Sequence, residues 1–194
     1  MEIIGAIFII IFGCLGHFIF EWSGHRKWCG LLFATNESTW EHIKLTIYPS
    51  LVWGVVSGFV YGWTPLLLFS LTASMSAMII LVPALFYGYT AILGRNYLIT
   101  DIICFILAVS GGMWVFHNAV TSGACIGAWG MAASAIVAVL IIVAYFTLTY
   151  HAPHNFLFKD PVTGGYGPLG HDCDADFHKT GRHHHHHNRE NKNK

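Results

Sequence analysis

Charged positions divide this chain more sharply than apolar ones do. Ile3 to Phe20, Leu45 to Gly94 and Ile102 to Phe158 contain no Asp, Glu, Lys or Arg, and the polar residues gather in short bursts between and beyond these runs. A hydrocarbon core about 30 Å thick takes about 20 residues of helix to cross. The first run is therefore one crossing. The second is long enough for two, with Gly62-Trp63-Thr64-Pro65 as a tight break between them. The third holds one complete crossing and most of another, separated by the small and polar stretch His117 to Gly127. The pattern predicts five transmembrane helices, at about residues 3–22, 42–62, 66–93, 98–117 and 128–150. The third of these is overlong and contains Pro83, which predicts tilt or a kink.

Composition agrees with an all-α integral membrane bundle. Of 194 residues, 55% are hydrophobic and only 10% charged, where an ordinary soluble domain carries about a quarter charged. Formal net charge is zero, and no basic patch interleaves with aromatics, so nucleic acid is excluded as a partner. The lipid bilayer is the expected one. A cleaved signal peptide is not expected, because Met1-Glu2 offers no basic flank and no small-x-small site precedes Glu21. The five cysteines form no CxxC pair and read as small buried hydrophobes. Gly, Ala, Ser and Thr in "GMAASAIVAVLIIVAYF" suit close helix packing in lipid.

Cations in short loops stay on the cytoplasmic side. Arg26, Lys27, Lys44, Arg95 and Lys159 all fall at one end of a five-helix bundle, while the loops at the other end hold no Lys or Arg. That predicts an outside N-terminus and a cytoplasmic C-terminus in a cell membrane. The transmembrane domain is expected to occupy residues 1–154. Residues 155–194 should form a turn-rich and then disordered tail, with disorder after about Gly170. Within it, His183 to His187 is either a native metal-collecting tract or an affinity tag; the following "NRENKNK" favours the former.

Ionisable groups inside membrane segments are rare unless they do something. His17 and Glu21 are four apart at the end of the first helix; Glu37 with Glu41, and Ser38 with His42, share faces at the start of the second. His151 and His154, in "YHAPH", close the fifth. All belong to the cytoplasmic end of the predicted bundle. His nitrogens and carboxylate oxygens are ligands for a divalent metal such as zinc, and a catalytic site uses three of them plus a water. Candidate metal ligands are therefore His42, His151, His154 and His17, with Glu41 or Glu21 as fourth ligand or catalytic base.

Plainer roles compete for the same residues. Ser38-Thr39-Trp40-Glu41 is a capping box, and Glu37 and Glu41 complement a helix dipole. His17 and Glu21 can pair to fix helix packing, and the segment around Pro153 is a turn whose histidines can cap the last carbonyls. His42 is the residue that capping leaves unexplained. His117 lies at the opposite end, since Asp101 to His117 spans about 24 Å of helix; Asp101 is at the same end as the cluster.

At "HFIFEWSG", "NESTWEH" and "HAPHNFLFKDPVTGGYG" the chain resembles an uncharacterised family of small bacterial multi-pass membrane proteins, a domain of unknown function. Ser38-xxx-His42 with paired histidines on the last helix is also similar to zinc-dependent membrane hydrolases of the alkaline ceramidase and adiponectin receptor group. Those have seven helices and a helical HxxxH, where this chain has five and an HxxH broken by proline. Three functional classes stand: a metal-dependent, hydrolase-like membrane enzyme; a small transporter or metal-handling protein; and a structural or partner-binding protein. The chain has no internal repeat and no ionisable group in mid-bundle, so transport would need a homo-oligomer.

Overall fold

The computed structural model describes residues 1–168, and the His183–His187 tract lies outside them. Six helices follow in order: α1 Glu2–Trp22, α2 Lys27–Leu32, α3 Thr39–Tyr61, α4 Pro65–Leu93, α5 Leu98–Val120 and α6 Ala128–Tyr150. There is no strand among the described residues. All but α2 are long and apolar enough to cross a membrane. Each falls within three residues or so of the span predicted from the uncharged runs. The short α2 was not predicted; six residues leave no periodicity to read.

Helix ends follow local chemistry. Thr64 accepts from the Leu67 amide at 3.2 Å and Pro65 opens α4, where its missing N–H costs nothing. Gly94 ends α4 in the left-handed conformation, φ 71°. Ser38 caps α3, accepting from the Glu41 amide at 3.4 Å. The other arm of the expected capping box is absent: the Ser38 amide donates to Asn36 Oδ1 at 2.9 Å instead, and the Glu41 carboxylate is engaged elsewhere.

Helix α3 is the centre of the bundle. More than half of its most apolar stretch is buried, 56%, against 17% for α6, which is exposed along most of its length. Ile43, Ile47, Met75 and Ala108 join α3, α4 and α5, while Ile9, Leu45, Val109 and Met113 join α1, α3 and α5. Small residues set the spacing. A Cβ at Gly112 would lie 2.4 Å from Met78, and Ser74 donates to the Gly112 carbonyl at 2.8 Å, so α4 and α5 touch backbone to side chain.

Past α6 the chain does not leave the bundle at once. Residues 155–167 fold back over the N-terminal end of α3: the Trp40 amide donates to Leu157 O at 3.0 Å and Asn36 Nδ2 to Gly167 O at 3.2 Å. Trp40 is stacked between Tyr145 and Phe158, each ring centroid 4.7 Å away. Asp160, 1% exposed, accepts from the Val162 and Thr163 amides and builds the turn. The turn-rich stretch is thus a packed hook up to Gly167.

Candidate functional site

Two polar groups sit at the end of the bundle where α1 ends and α3 begins, and they differ in kind. One is a closed ion pair. Lys44 and Glu41 lie one turn apart on α3, 0% and 2% exposed, with Nζ 2.7 Å from Oε2. Lys44 Nζ also donates to Gly30 O of α2 at 2.8 Å and to Thr149 Oγ1 of α6 at 3.4 Å. Glu41 Oε2 further accepts from the Thr35 amide at 2.8 Å and the Thr35 hydroxyl at 3.2 Å. Every ammonium proton has an acceptor, so the pair ties α2, α3, α6 and the intervening loop together. Lys44, expected as an interfacial cation, is instead one of the most buried residues. Its i,i+3 spacing from Glu41 is the sequence signal for that, because it sets both on one helix face.

The second group is open on one side. His17 of α1 and His42 of α3 both face Glu37 in the loop before α3: His17 Nε2 is 3.2 Å and His42 Nε2 3.8 Å from Glu37 Oε2. One ligand atom from each residue lies within 4.8 Å of the others, and all three side chains are only partly buried. The two imidazole rings meet edge to face at 5.5 Å.

The protonation of His42 is constrained. Its Nδ1 is 2.9 Å from the Ser38 carbonyl, and a carbonyl oxygen only accepts, so Nδ1 carries the hydrogen. Nε2 then presents to the carboxylate either a second proton or a bare lone pair. A lone pair opposite a carboxylate oxygen is repulsive unless a cation lies between them. A backbone acceptor on Nδ1 is also the usual partner that orients a metal-binding imidazole. The residues present fit a divalent metal, which two imidazoles and one carboxylate beside a cavity would hold.

That cavity, about 100 Å³, is bordered by His17, Glu37 and His42 and, across from them, by Asp101 and Phe105 of α5. Asp101 accepts a hydrogen bond from the Tyr89 hydroxyl of α4. Gly13 forms part of the wall; a Cβ there would lie 2.6 Å from the Phe105 ring and 3.0 Å from the Leu45 carbonyl. Pro49 has no N–H to offer that carbonyl one turn back, so the proline in α3 and the glycine in α1 together set the approach of the two helices.

The remaining expected site residues lie elsewhere. His151 and His154 are exposed; His151 Nδ1 is 3.2 Å from Thr147 O, and the His154 ring stacks on Tyr166 at 4.5 Å. Neither is part of the His17/Glu37/His42 group. Glu41 belongs to the closed pair. Glu21 is exposed and borders a smaller cleft of about 20 Å³ beside His17 and Glu37. Glu37, read from the sequence as a helix-dipole complement, is the member that reasoning underweighted. It precedes the Ser38 cap, so the loop around Thr35 and Asn36 sets its direction rather than any helical spacing. At the far end, His117 Nδ1 is 3.3 Å from Glu2 Oε1, which also accepts from Tyr61.

A family model described as a family of unknown function, DUF6512, matches residues 1–168. The chain belongs to this family. The match spans every helix and the hook that follows α6. No curated protein and no solved structure matches the chain, so the likeness to the ceramidase and adiponectin receptor group finds no support there.

Proposed function

We propose that this DUF6512 member is a metal-dependent membrane enzyme of hydrolytic type, with His17, Glu37 and His42 as the ligands of one divalent metal. The observation that carries the reading is His42, whose Nδ1–H is committed to the Ser38 carbonyl while Nε2 faces the Glu37 carboxylate at 3.8 Å. A metal there would lower the pKa of a bound water and supply the nucleophile. Asp101, which borders the same cavity and accepts a hydrogen bond from the Tyr89 hydroxyl, is the carboxylate assigned to take the proton on this reading. Zinc suits the ligand set; iron(II) also accepts two histidines and a carboxylate. The site belongs to the cytoplasmic face of a cell membrane on this reading: exposed Arg26, Lys27, Arg95 and Lys159 share its end of the bundle even with Lys44 removed from the tally.

A second reading keeps the same atoms without a metal. His17 Nε2 at 3.2 Å from Glu37 is an adequate hydrogen bond, and the group would then clasp α1 to the start of α3. Metal content of the purified full chain, compared with that of His42→Ala, separates the two. The His-rich tail contributes equally to both proteins and cancels in the difference. Loss of a single tightly held equivalent in the variant is expected; equal metal content in both would sink the enzyme reading and leave the clasp.

A further inference from the structure

The cavity beside His17, Glu37 and His42 is walled by α1 and α5, and its rim is made of residues that face lipid. Cys14 is exposed, one turn from His17 toward the membrane interior, and Leu98 and Ile102 on α5 are 76% and 45% exposed. On helices that cross a membrane, exposed side chains of this kind look out into hydrocarbon. His17, Glu37 and His42 border it from α1, the loop before α3 and the start of α3, and Asp101 borders it from α5, next to Leu98 and Ile102. The cavity therefore combines four ionisable groups with an apolar, exposed rim.

Its size limits what goes in. About 100 Å³ is well short of the roughly 300 Å³ and upward that encloses a whole drug-sized molecule. It accommodates a headgroup or one reacting ester, not an acyl chain. A molecule reaching the metal ligands from between α1 and α5 would leave its chain in the bilayer and insert only its polar end. Phe105 borders the cavity, and a Cβ at Gly13 would lie 2.6 Å from its ring, so α1 and α5 pack closely there.

We infer that the substrate of this site is a membrane lipid, admitted sideways between α1 and α5 and presenting an oxygen-donor headgroup to the metal held by His17, Glu37 and His42. The inference rests on the metal reading above. It adds the route and the chemical class.

The test uses the full chain in lipid nanodiscs loaded with Co²⁺, whose visible absorption reports ligand exchange at the metal. The probes are acetohydroxamate, which arrives from water, and octanohydroxamate, which carries the same chelating group on a chain that dissolves in the bilayer. Cys14→Trp and Ile102→Trp narrow the rim from its lipid side without touching a ligand. Each should weaken octanohydroxamate by about tenfold or more and leave acetohydroxamate within about twofold, since each buried methylene is worth about fourfold in affinity. An unchanged cobalt spectrum in both variants certifies the fold and the metal site.

If the rim variants leave both probes unchanged, or weaken both equally, lateral admission of a lipid is overturned while the metal site stands. If wild-type protein gives no His42-dependent cobalt spectrum, the metal reading fails first, and the lipid proposal with it. The two failures are thus distinguished before any probe is added.

Discussion

Glu41 and His42 are neighbours in sequence, yet they belong to polar groups with opposite properties. Glu41 and Lys44 are buried and internally bonded: the ammonium meets Glu41 Oε2, Gly30 O of α2 and Thr149 Oγ1 of α6, and Oε2 also accepts from Thr35. His42, with His17 and Glu37, is partly buried, borders a cavity, and has a ligand atom within 4.8 Å of one from each of the other two. Saturation marks a structural element, because a group whose every bond is made inside the protein has nothing left to offer a ligand. Clustered ligand atoms beside a cavity mark a candidate site. The helix twist between adjacent residues, about 100°, is enough to turn one toward α6 and the other toward α1.

The largest effect should come from breaking the closed pair. Lys44→Met strands a buried carboxylate, and removal of one member of such a pair costs about 3–5 kcal/mol. Removing both, as Glu41→Gln with Lys44→Met, should recover much of that loss. Thermal unfolding in detergent measures both. A single variant that loses less than about 1 kcal/mol would mean that the pair is not the tie described above.

The open group should respond the other way. His42→Ala and Glu37→Gln each remove a ligand and should weaken metal binding by about 100-fold or more, beyond the 10- to 100-fold usual for a supporting residue. Their stability should fall by no more than about 1 kcal/mol, since neither leaves a buried charge behind. Calorimetric metal titration set against the melting temperature tests this inversion. Comparable losses of stability in Lys44→Met and His42→Ala would erase the distinction between the two groups.

A smaller effect concerns protons. Imidazole must be unprotonated at the nitrogen that ligates, so a metal site releases protons on binding and weakens as the pH falls. A clasp between His17, Glu37 and His42 needs no such release. Metal titration at about pH 6 and about pH 8 measures this dependence; affinity that does not fall at the lower pH would count against imidazole ligation.

The helices were legible because the bilayer punishes charge along a whole span, and the uncharged runs record that directly. Helix ends were legible where Gly, Pro or Ser-Thr chemistry forces a stop, as at Gly62 to Pro65 and at Ser38. The site was legible only in part. His17 and His42 shared a predicted depth, and depth follows from rise per residue. What depth leaves open is azimuth. Lys44 looked interfacial by position along the chain, yet its face of α3 turns to Thr149 and Gly30. Glu37 precedes the helix, so no helical periodicity fixed its direction; it depends on the loop built by Thr35 and Asn36. Its hydrogen-bonded turn, not its spacing, brings it to His17.

The smallest expected effect is at His154, and its smallness is informative. The sequence offers His151 and His154 as a chelating pair in a stiff turn, and metal ligation by them would join the hook to the site. In the structure Pro153 separates them between two bends, both rings are exposed, and His154 lies flat on Tyr166 with an interplanar angle of 22°. The hook is held by other bonds, from Trp40 N to Leu157 O and from Asn36 to Gly167. His154→Ala should therefore cost at most about 1 kcal/mol of ring stacking and leave metal affinity within about twofold. His151→Ala should change neither. A tenfold loss of affinity in either variant would require the hook to swing its histidines toward α1. The closed Glu41–Lys44 pair would then be the barrier between them and His42, rather than the frame on which the open site is built.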